Sequence, residues 1–236
     1  MRALLFLVAF TPLLPAAEPE FTPLFDGKSL SGWTFIVKPD KDGNKADPKE
    51  TWSVVDGTIR CKGKPNGCMV TEKVYGDYVL KLKWKFPAEG KGGNSGVLLH
   101  VQDEKYWPTS IEAQLLTGRA GDLLVTNPPD AKLEVEKSRQ DPKLERRFFR
   151  IETKEPVEKA LGEWNECEIT CKGGDITFSV NGVKVNEGKN CNFTKGRIAL
   201  QSEGAEIHFK DVMIRSLKGR PQGIARVEEA AAYPPD

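Results

Sequence analysis

Between Tyr78 and Phe86 the chain alternates without a break: Leu80, Leu82, Trp84 and Phe86 fall on one side, Lys81, Lys83 and Lys85 on the other. Side chains two apart share one face of an extended chain, so this period of two predicts a half-buried β-strand and excludes an amphipathic helix. Further runs rich in Val, Ile, Phe, Trp and Thr predict strands at 51–55, 57–61, 96–101, 111–116, 148–151, 165–171, 175–180, 197–201 and 207–214. Asp56-Gly57, Gly173-Gly174 and Asn181-Gly182 supply tight turns between them. No helical periodicity of useful length competes. The expected fold is all-β, a two-sheet antiparallel sandwich in a single domain, which 236 residues are long enough to close around one core.

The same alternation divides the faces. Val97, Leu99 and Val101 are expected to point into the core, with His100 and Gln102 opposite. Ile111, Ala113 and Leu115 are expected inside, with Glu112 and Gln114 opposite. If these strands share a sheet, His100, Glu112, Gln114 and one or more of the lysines meet on its outer face, the face on which a concave sandwich binds sugars. Lys38–Glu50 and Asn127–Glu145 carry no periodicity and read as long loops.

The ends read differently. Met1-Arg2, an apolar run from Ala3 to Leu14 and Pro15-Ala16-Ala17 form an export leader over residues 1–17. The first cysteine is Cys61, so no lipid anchor is expected at the leader, and the remaining chain has no apolar run long enough to cross a bilayer. A periplasmic or extracellular protein is expected, with its domain at 18–217 and a Gly-, Ala- and Pro-containing tail at 218–236. Five cysteines in an exported chain imply some disulfide bonding. Cys61 and Cys68, flanking the turn-rich segment from Lys62 to Gly67, are the favoured pair. Cys167 and Cys171 lie about 13 Å apart along one strand and cannot bridge there.

Composition narrows the function. With 35 Lys and Arg against 34 Asp and Glu the formal charge is +1, and no cationic run offers a nucleic acid partner a surface. Two histidines, His100 and His208, and no paired-cysteine motif leave no zinc site of standard spacing. The loop opening at Asp40 resembles a calcium loop, but Lys45 stands where glycine is needed and Thr51 where the closing acid is needed. No metal or other cofactor is expected. Gly-x-Ser-x-Gly is absent, and Glu112 is followed by Gln114 where a sandwich glycosidase places a second acid on the strand. Glu166 and Glu168 have that spacing but are expected on a solvated face.

A series of segments in one order carries a family resemblance: Leu24-Phe25-Asp26-Gly27-Lys28-Ser29-Leu30-Ser31-Gly32-Trp33, Tyr75-Gly76-Asp77-Tyr78, Asn94-Ser95-Gly96-Val97 and Trp107 to Leu115. Gly118-Arg119-Ala120-Gly121-Asp122, Gly162-Glu163-Trp164-Asn165, Val180-Asn181-Gly182 and Gly196 to Glu206 continue it. Over residues 20 to 217 the chain resembles the 3-keto-disaccharide hydrolase family, whose members are similar to concanavalin-like jelly rolls. That resemblance implies cleavage of sugars already oxidised at C3. The ketone acidifies the C2 hydrogen, a base removes it, the C1 substituent leaves, and water adds back. Mapped onto this chain, that chemistry is expected to use Glu112 as base or acid, His100, where many family members carry Arg, as its proton partner or enolate stabiliser, and Lys83 as the charge at the oxyanion. Asn94, Gln114, Gln201 and Glu203 would hold hydroxyls, and Tyr106 and Trp107 would stack on a ring. The competing expectation is a carbohydrate-binding module on the same scaffold, without catalysis.

Overall fold

The computed structural model describes residues 20–44 and 46–217. The leader at 1–17 and the tail at 218–236 lie outside the described residues. Fifteen strands are formed: β1 (Thr22–Pro23), β2 (Trp33–Val37), β3 (Trp52–Val55), β4 (Thr58–Cys61), β5 (Gly67–Thr71), β6 (Tyr78–Lys85), β7 (Gly96–Val101) and β8 (Ser110–Gln114), then β9 (Leu123–Thr126), β10 (Arg147–Phe148), β11 (Asn165–Lys172), β12 (Asp175–Val180), β13 (Val183–Gly188), β14 (Arg197–Ser202) and β15 (Ile207–Ser216). They make two antiparallel sheets. Sheet I has the order β13-β12-β11-β6-β15-β4-β3 with β1 paired to β15, and sheet II the order β10-β9-β8-β7-β14-β5-β2.

Sheet I is built around the alternating strand. In β6, Tyr78, Leu80, Leu82 and Trp84 are buried while Lys81, Lys83 and Lys85 are half-buried. The pairing with β11 sets Leu82 opposite Cys167 and Leu80 opposite Ile169 inside, and Lys83 opposite Glu166 and Lys81 opposite Glu168 outside. Opposite charges therefore face each other across the solvent side, with Lys81 Nζ 2.8 Å from Glu168. The main core lies between the sheets and joins these residues to Val97, Leu99, Ile111, Ala113, Leu123 and Leu200 of sheet II. The hairpins close as their turn residues require: Asp56 and Gly57 (φ 48° and 70°), and Asn181 and Gly182 (φ 49° and 81°), are left-handed at both central positions.

Three expectations are corrected. Lys62–Asn66 is no hairpin turn but a crossing between sheets, since β4 belongs to sheet I and β5 to sheet II. Cys61 consequently faces the main core, Cys68 faces the outer side of sheet II, and neither is bonded. The alternation in β7 also breaks. His100 has φ 53°, and the pairing of β7 with β14 shifts register between Arg197 and Ala199. This bulge turns His100 inward, its ring 5.9 Å from that of Tyr78, and turns Val101 out into a second apolar cluster with Cys68, Val70, Leu98 and Ala199. A side chain at Gly196 would collide with the backbone of His100, so the bulge needs glycine across from it. Strands β1, β2, β5, β9 and β13 were not expected.

All five cysteines are free and buried. Burial pushes the Cys61 thiol up to about 11 and those of Cys68 and Cys171 up to about 12, which leaves little thiolate at neutral pH. A thiol count on the unreduced protein should give five groups in denaturant and almost none in the native state. A count of three in denaturant would establish a disulfide.

Candidate functional site

In antiparallel pairs, opposed residues share a face. Glu112 on β8 stands opposite Leu124 on β9 and Leu98 on β7, and Leu98 opposite Ala199 on β14. Because Leu98 and Ala199 belong to the second apolar cluster, all of these occupy the outer face of sheet II. One row along, Gln114 lies opposite Gly96, and Gln201 opposite Cys68. Gly96 leaves the room that the acid needs: a Cβ there would come within 2.7 Å of Glu112 Oε1. Glu112 therefore lies across β7 toward β14, with Gln114 and Gln201 beside it.

This outer face is dry. Glu112 is 4 % exposed, Gln114 5 % and Gln201 1 %. Even so, Glu112 Oε1, Gln114 Oε1 and both amide atoms of Gln201 have no hydrogen-bond partner in the protein. Orphaned polar atoms at such burial are costly unless a ligand or water satisfies them, and here they converge on one place. The other amide atoms are committed: Gln114 Nε2 donates to Asn94 Oδ1 (3.4 Å), and Asn94 Nδ2 donates to Glu203 Oε2 (2.7 Å).

Burial, reinforced by the charge of Glu203, raises the Glu112 carboxyl to about 8. Arg146, Arg147 and the adjacent Gln201 side chain pull it the other way, although the Gln201 amide closes no well-formed hydrogen bond. Burial raises Glu203 too, opposed by the bond from Asn94 and by Arg146. Arg147 is held by Asp122, which is fully buried. Its carboxylate accepts Arg147 Nη2 (2.6 Å) and Nε (2.9 Å), Arg119 Nη2 (3.0 Å) and the Arg150 amide (2.8 Å). The Phe149 ring packs under the Arg119 and Arg147 guanidiniums at 4.7 and 5.4 Å. This rim fixes Arg147 beside β9, while the neighbouring Arg146 is exposed.

Of the sequence-predicted residues, the structure brings Glu112, Gln114, Gln201, Asn94 and Glu203 together. Tyr106 and Trp107 are half-buried on the β7–β8 loop with ring centroids 6.1 Å apart. Lys38, just past β2, sits 5.8 Å from the Tyr106 ring, so the loop reaches toward the β2 edge of the same sheet. Two residues fall elsewhere. Lys83 is on the outer face of sheet I, paired to Asp211 at 2.9 Å, with the whole core between it and Glu112. His100 is inside the sandwich, where burial lowers its imidazole to about 4 and neither ring nitrogen has a partner. Arg146 and the Asp122 rim were missed. Their signal was the Arg146-Arg147 pair ahead of Phe148-Phe149, which fell between a charged loop and the next strand. An open depression of about 420 Å³ lined by Val157, Asn181 and Val183 includes none of these residues. Among the described residues, no cluster of His, Cys, Asp and Glu is placed to hold a metal ion, and no helix is long and apolar enough to cross a membrane.

The two antiparallel sheets make a β-sandwich, with a buried acid and unpartnered amides on one outer face. Comparison with known proteins places it more narrowly. Residues 20–215 match the 3-keto-alpha-glucoside-1,2-lyase-like domain, and the chain belongs to that family. It is similar to a 3-keto-disaccharide hydrolase of Bacteroides thetaiotaomicron, with 27 % identity over 187 residues, covering 74 % of this chain and 60 % of that protein's length. Among solved structures it resembles one from Parabacteroides distasonis ATCC 8503, provisionally named a glycosyl hydrolase: TM-score 0.58, 26 % identity, 84 % of this chain and 94 % of that one. The carbohydrate-binding module CBM66 of Bacillus subtilis shares the fold at TM-score 0.53 and 14 % identity, over 78 % of this chain and 96 % of that one.

The electrostatics predict a pH signature in stability. Between pH 4.5 and about 8, unfolded Glu112 gives up its proton while the folded chain keeps it, so the wild type loses stability as pH rises through that window. Glu112→Gln removes this loss, worth a few kcal/mol at ~1.4 kcal/mol per pH unit. Thermal melts should show the variant more stable than wild type at pH 8 and nearly equal near pH 4. Lower stability at both would mean that Glu112 is held as an ion. At the rim, Asp122→Asn should cost roughly 3 kcal/mol in denaturant unfolding, because Arg147 is left with only the longer contact to Asp141 at 3.9 Å.

Proposed function

We propose that this protein cleaves glycosides whose sugar ring carries a ketone at C3, by removal of the C2 proton, elimination of the C1 substituent and addition of water to the unsaturated keto-sugar. The observation that carries this reading is the convergence of unpartnered oxygens and amide groups of Glu112, Gln114 and Gln201 in one dry patch. Sugar hydroxyls supply both donors and acceptors, which is what a set of Gln side chains and one acid requires. Family membership and the name of the Bacteroides relative support the substrate class.

In this reading Glu112 is the proton-transfer group, and its raised carboxyl titrates near neutral pH, where acid–base exchange is most effective. Asn94, Gln114 and Gln201 hold hydroxyls, while Tyr106 and Trp107 offer a ring platform at the edge. Arg146, and not Lys83, supplies the positive charge within electrostatic reach of the carboxyl, where enolate charge would develop. His100 contributes packing rather than chemistry. We also infer that residues 18–217 are the working domain and that it acts outside the cytoplasm after loss of residues 1–17.

Incubation with a 3-keto-disaccharide and with its unoxidised parent tests the proposal. Sugar release is expected from the keto form alone, falling at least ~10²-fold in Glu112→Gln. Binding of both without turnover of either would instead establish a carbohydrate-binding module.

A further inference from the structure

The strand that bears Glu112 has no second acid, but the fold supplies one from another strand. Glu203 comes directly after β14, and its charge reaches Glu112. Its position is fixed by backbone as well as side chain, since Asn94 bridges to both Glu203 and Gly204. Resting on the function proposed above, we propose that Glu112 and Glu203 form an acid/base pair with divided roles: Glu203 takes the C2 proton as a carboxylate, and Glu112 protonates the departing oxygen.

Hydrogen-bond direction assigns the roles. Gln114 donates to Asn94, and Asn94 donates to Glu203, so the chain of amides ends on a Glu203 oxygen that must be a bare acceptor. A bond of this kind favours the ionised acid and, with Arg146, opposes the burial that raises the Glu203 carboxyl. Glu112 has the opposite surroundings. Its Oε1 is buried with no donor aimed at it, it lies against Leu98 and Leu124, and Glu203 adds a like charge. The charged groups facing it from other elements are Glu203 after β14 and Arg146 and Arg147 at β10. Burial and Glu203 outweigh the two arginines, and Glu112 carries the proton at neutral pH.

The cycle then balances. Glu203 accepts H2, and the electron pair of the C2–H bond forms the enolate with negative charge on the C3 oxygen. That charge returns to re-form the ketone as C1=C2 forms and the C1–O bond breaks. The leaving oxygen takes the proton of Glu112. In the second half Glu112, now a carboxylate, removes a proton from water as the water oxygen bonds to C1, and Glu203 returns its proton to C2. Both acids finish as they began, and one water has been consumed.

Three measurements on the full chain separate the roles: exchange of the C2 hydrogen of a 3-keto-glucoside in D₂O, release from a 3-keto-disaccharide, and release from a 3-keto-glucoside with a nitrophenolate leaving group, which needs no protonation. Glu112→Gln should lose ~10²- to 10⁴-fold on the disaccharide while keeping most of its C2 exchange and nitrophenolate release. Glu203→Gln should lose all three by a similar factor. The reverse pattern, or a Glu203→Gln variant with wild-type exchange, overturns the division of roles and leaves the proposed function standing. A folded wild type inert in all three assays overturns the function itself. Circular dichroism of each variant guards against loss of fold, and Glu203→Asp, which keeps the carboxylate, should restore part of the exchange.

Discussion

Sheet II is buried on both sides. Its inner face packs on sheet I, and its outer face is dry across the middle strands, where every residue of β5, β7, β8 and β9 is buried. Sheet I meets solvent on one side, and β6, β11 and β12 alternate buried with half-buried or exposed residues. This asymmetry decides where charge can sit. A sheet with one wet face can carry charge there and pair it across strands, as Lys81 and Glu168 do. A sheet with two dry faces must fill both with apolar or hydrogen-bonded groups, and any polar atom left over on the second face is costly. The unpartnered atoms of Glu112, Gln114 and Gln201 are such exceptions, and they lie next to the apolar cluster of Leu98, Ala199 and Val101. A patch that is part apolar and part unsatisfied matches a sugar ring, which has C–H faces and hydroxyl edges.

The same asymmetry explains which parts of the fold were legible in the sequence. Period two is visible only where one face is polar, so β6, β11 and β12 stood out, and the core stripe of β6 and the solvated side of Glu166 and Glu168 on β11 were assigned correctly. Strands buried on both faces lose the alternation: Gly67–Thr71 and Leu123–Thr126 are short continuous runs that nothing marks as strands. The face of Glu112 and Gln114 was still readable, because a charged and an amide residue flank Ala113 within β8. His100 was misplaced for a different reason. Alternation is a local rule, and a left-handed residue paired against a register shift resets it, with Gly196 just ahead of the facing strand β14 as its sequence trace. Cys61 and Cys68 mislead similarly, since the short link between them changes sheets instead of turning back.

The rim shows how a site can depend on residues that carry no motif of their own. Asp122 is fully buried, yet it is matched by two guanidiniums and a backbone amide, so its burial is compensated where that of Glu112 is not. A compensated acid is a fixed point that holds arginines in place. An uncompensated one is a group whose proton is in play. Two buried acids of this half of the sandwich thus differ in role through their partners alone, and residue identity in the sequence could not distinguish them.

Fold likeness cannot decide between catalysis and binding, because a carbohydrate-binding module shares this sandwich. The distinction lies in what each task demands of a buried acid. A binding site gains nothing from a carboxyl whose charged form is disfavoured, since a neutral amide would accept and donate to a hydroxyl at lower cost. Gln114 and Gln201 already fill that part on the same face. Keeping an acid at 112, desolvated and set near a second carboxylate, costs stability in the free protein. Such a cost is intelligible when the proton has to move, and the arrangement at β8 and β14 favours an enzyme over a lectin on that ground.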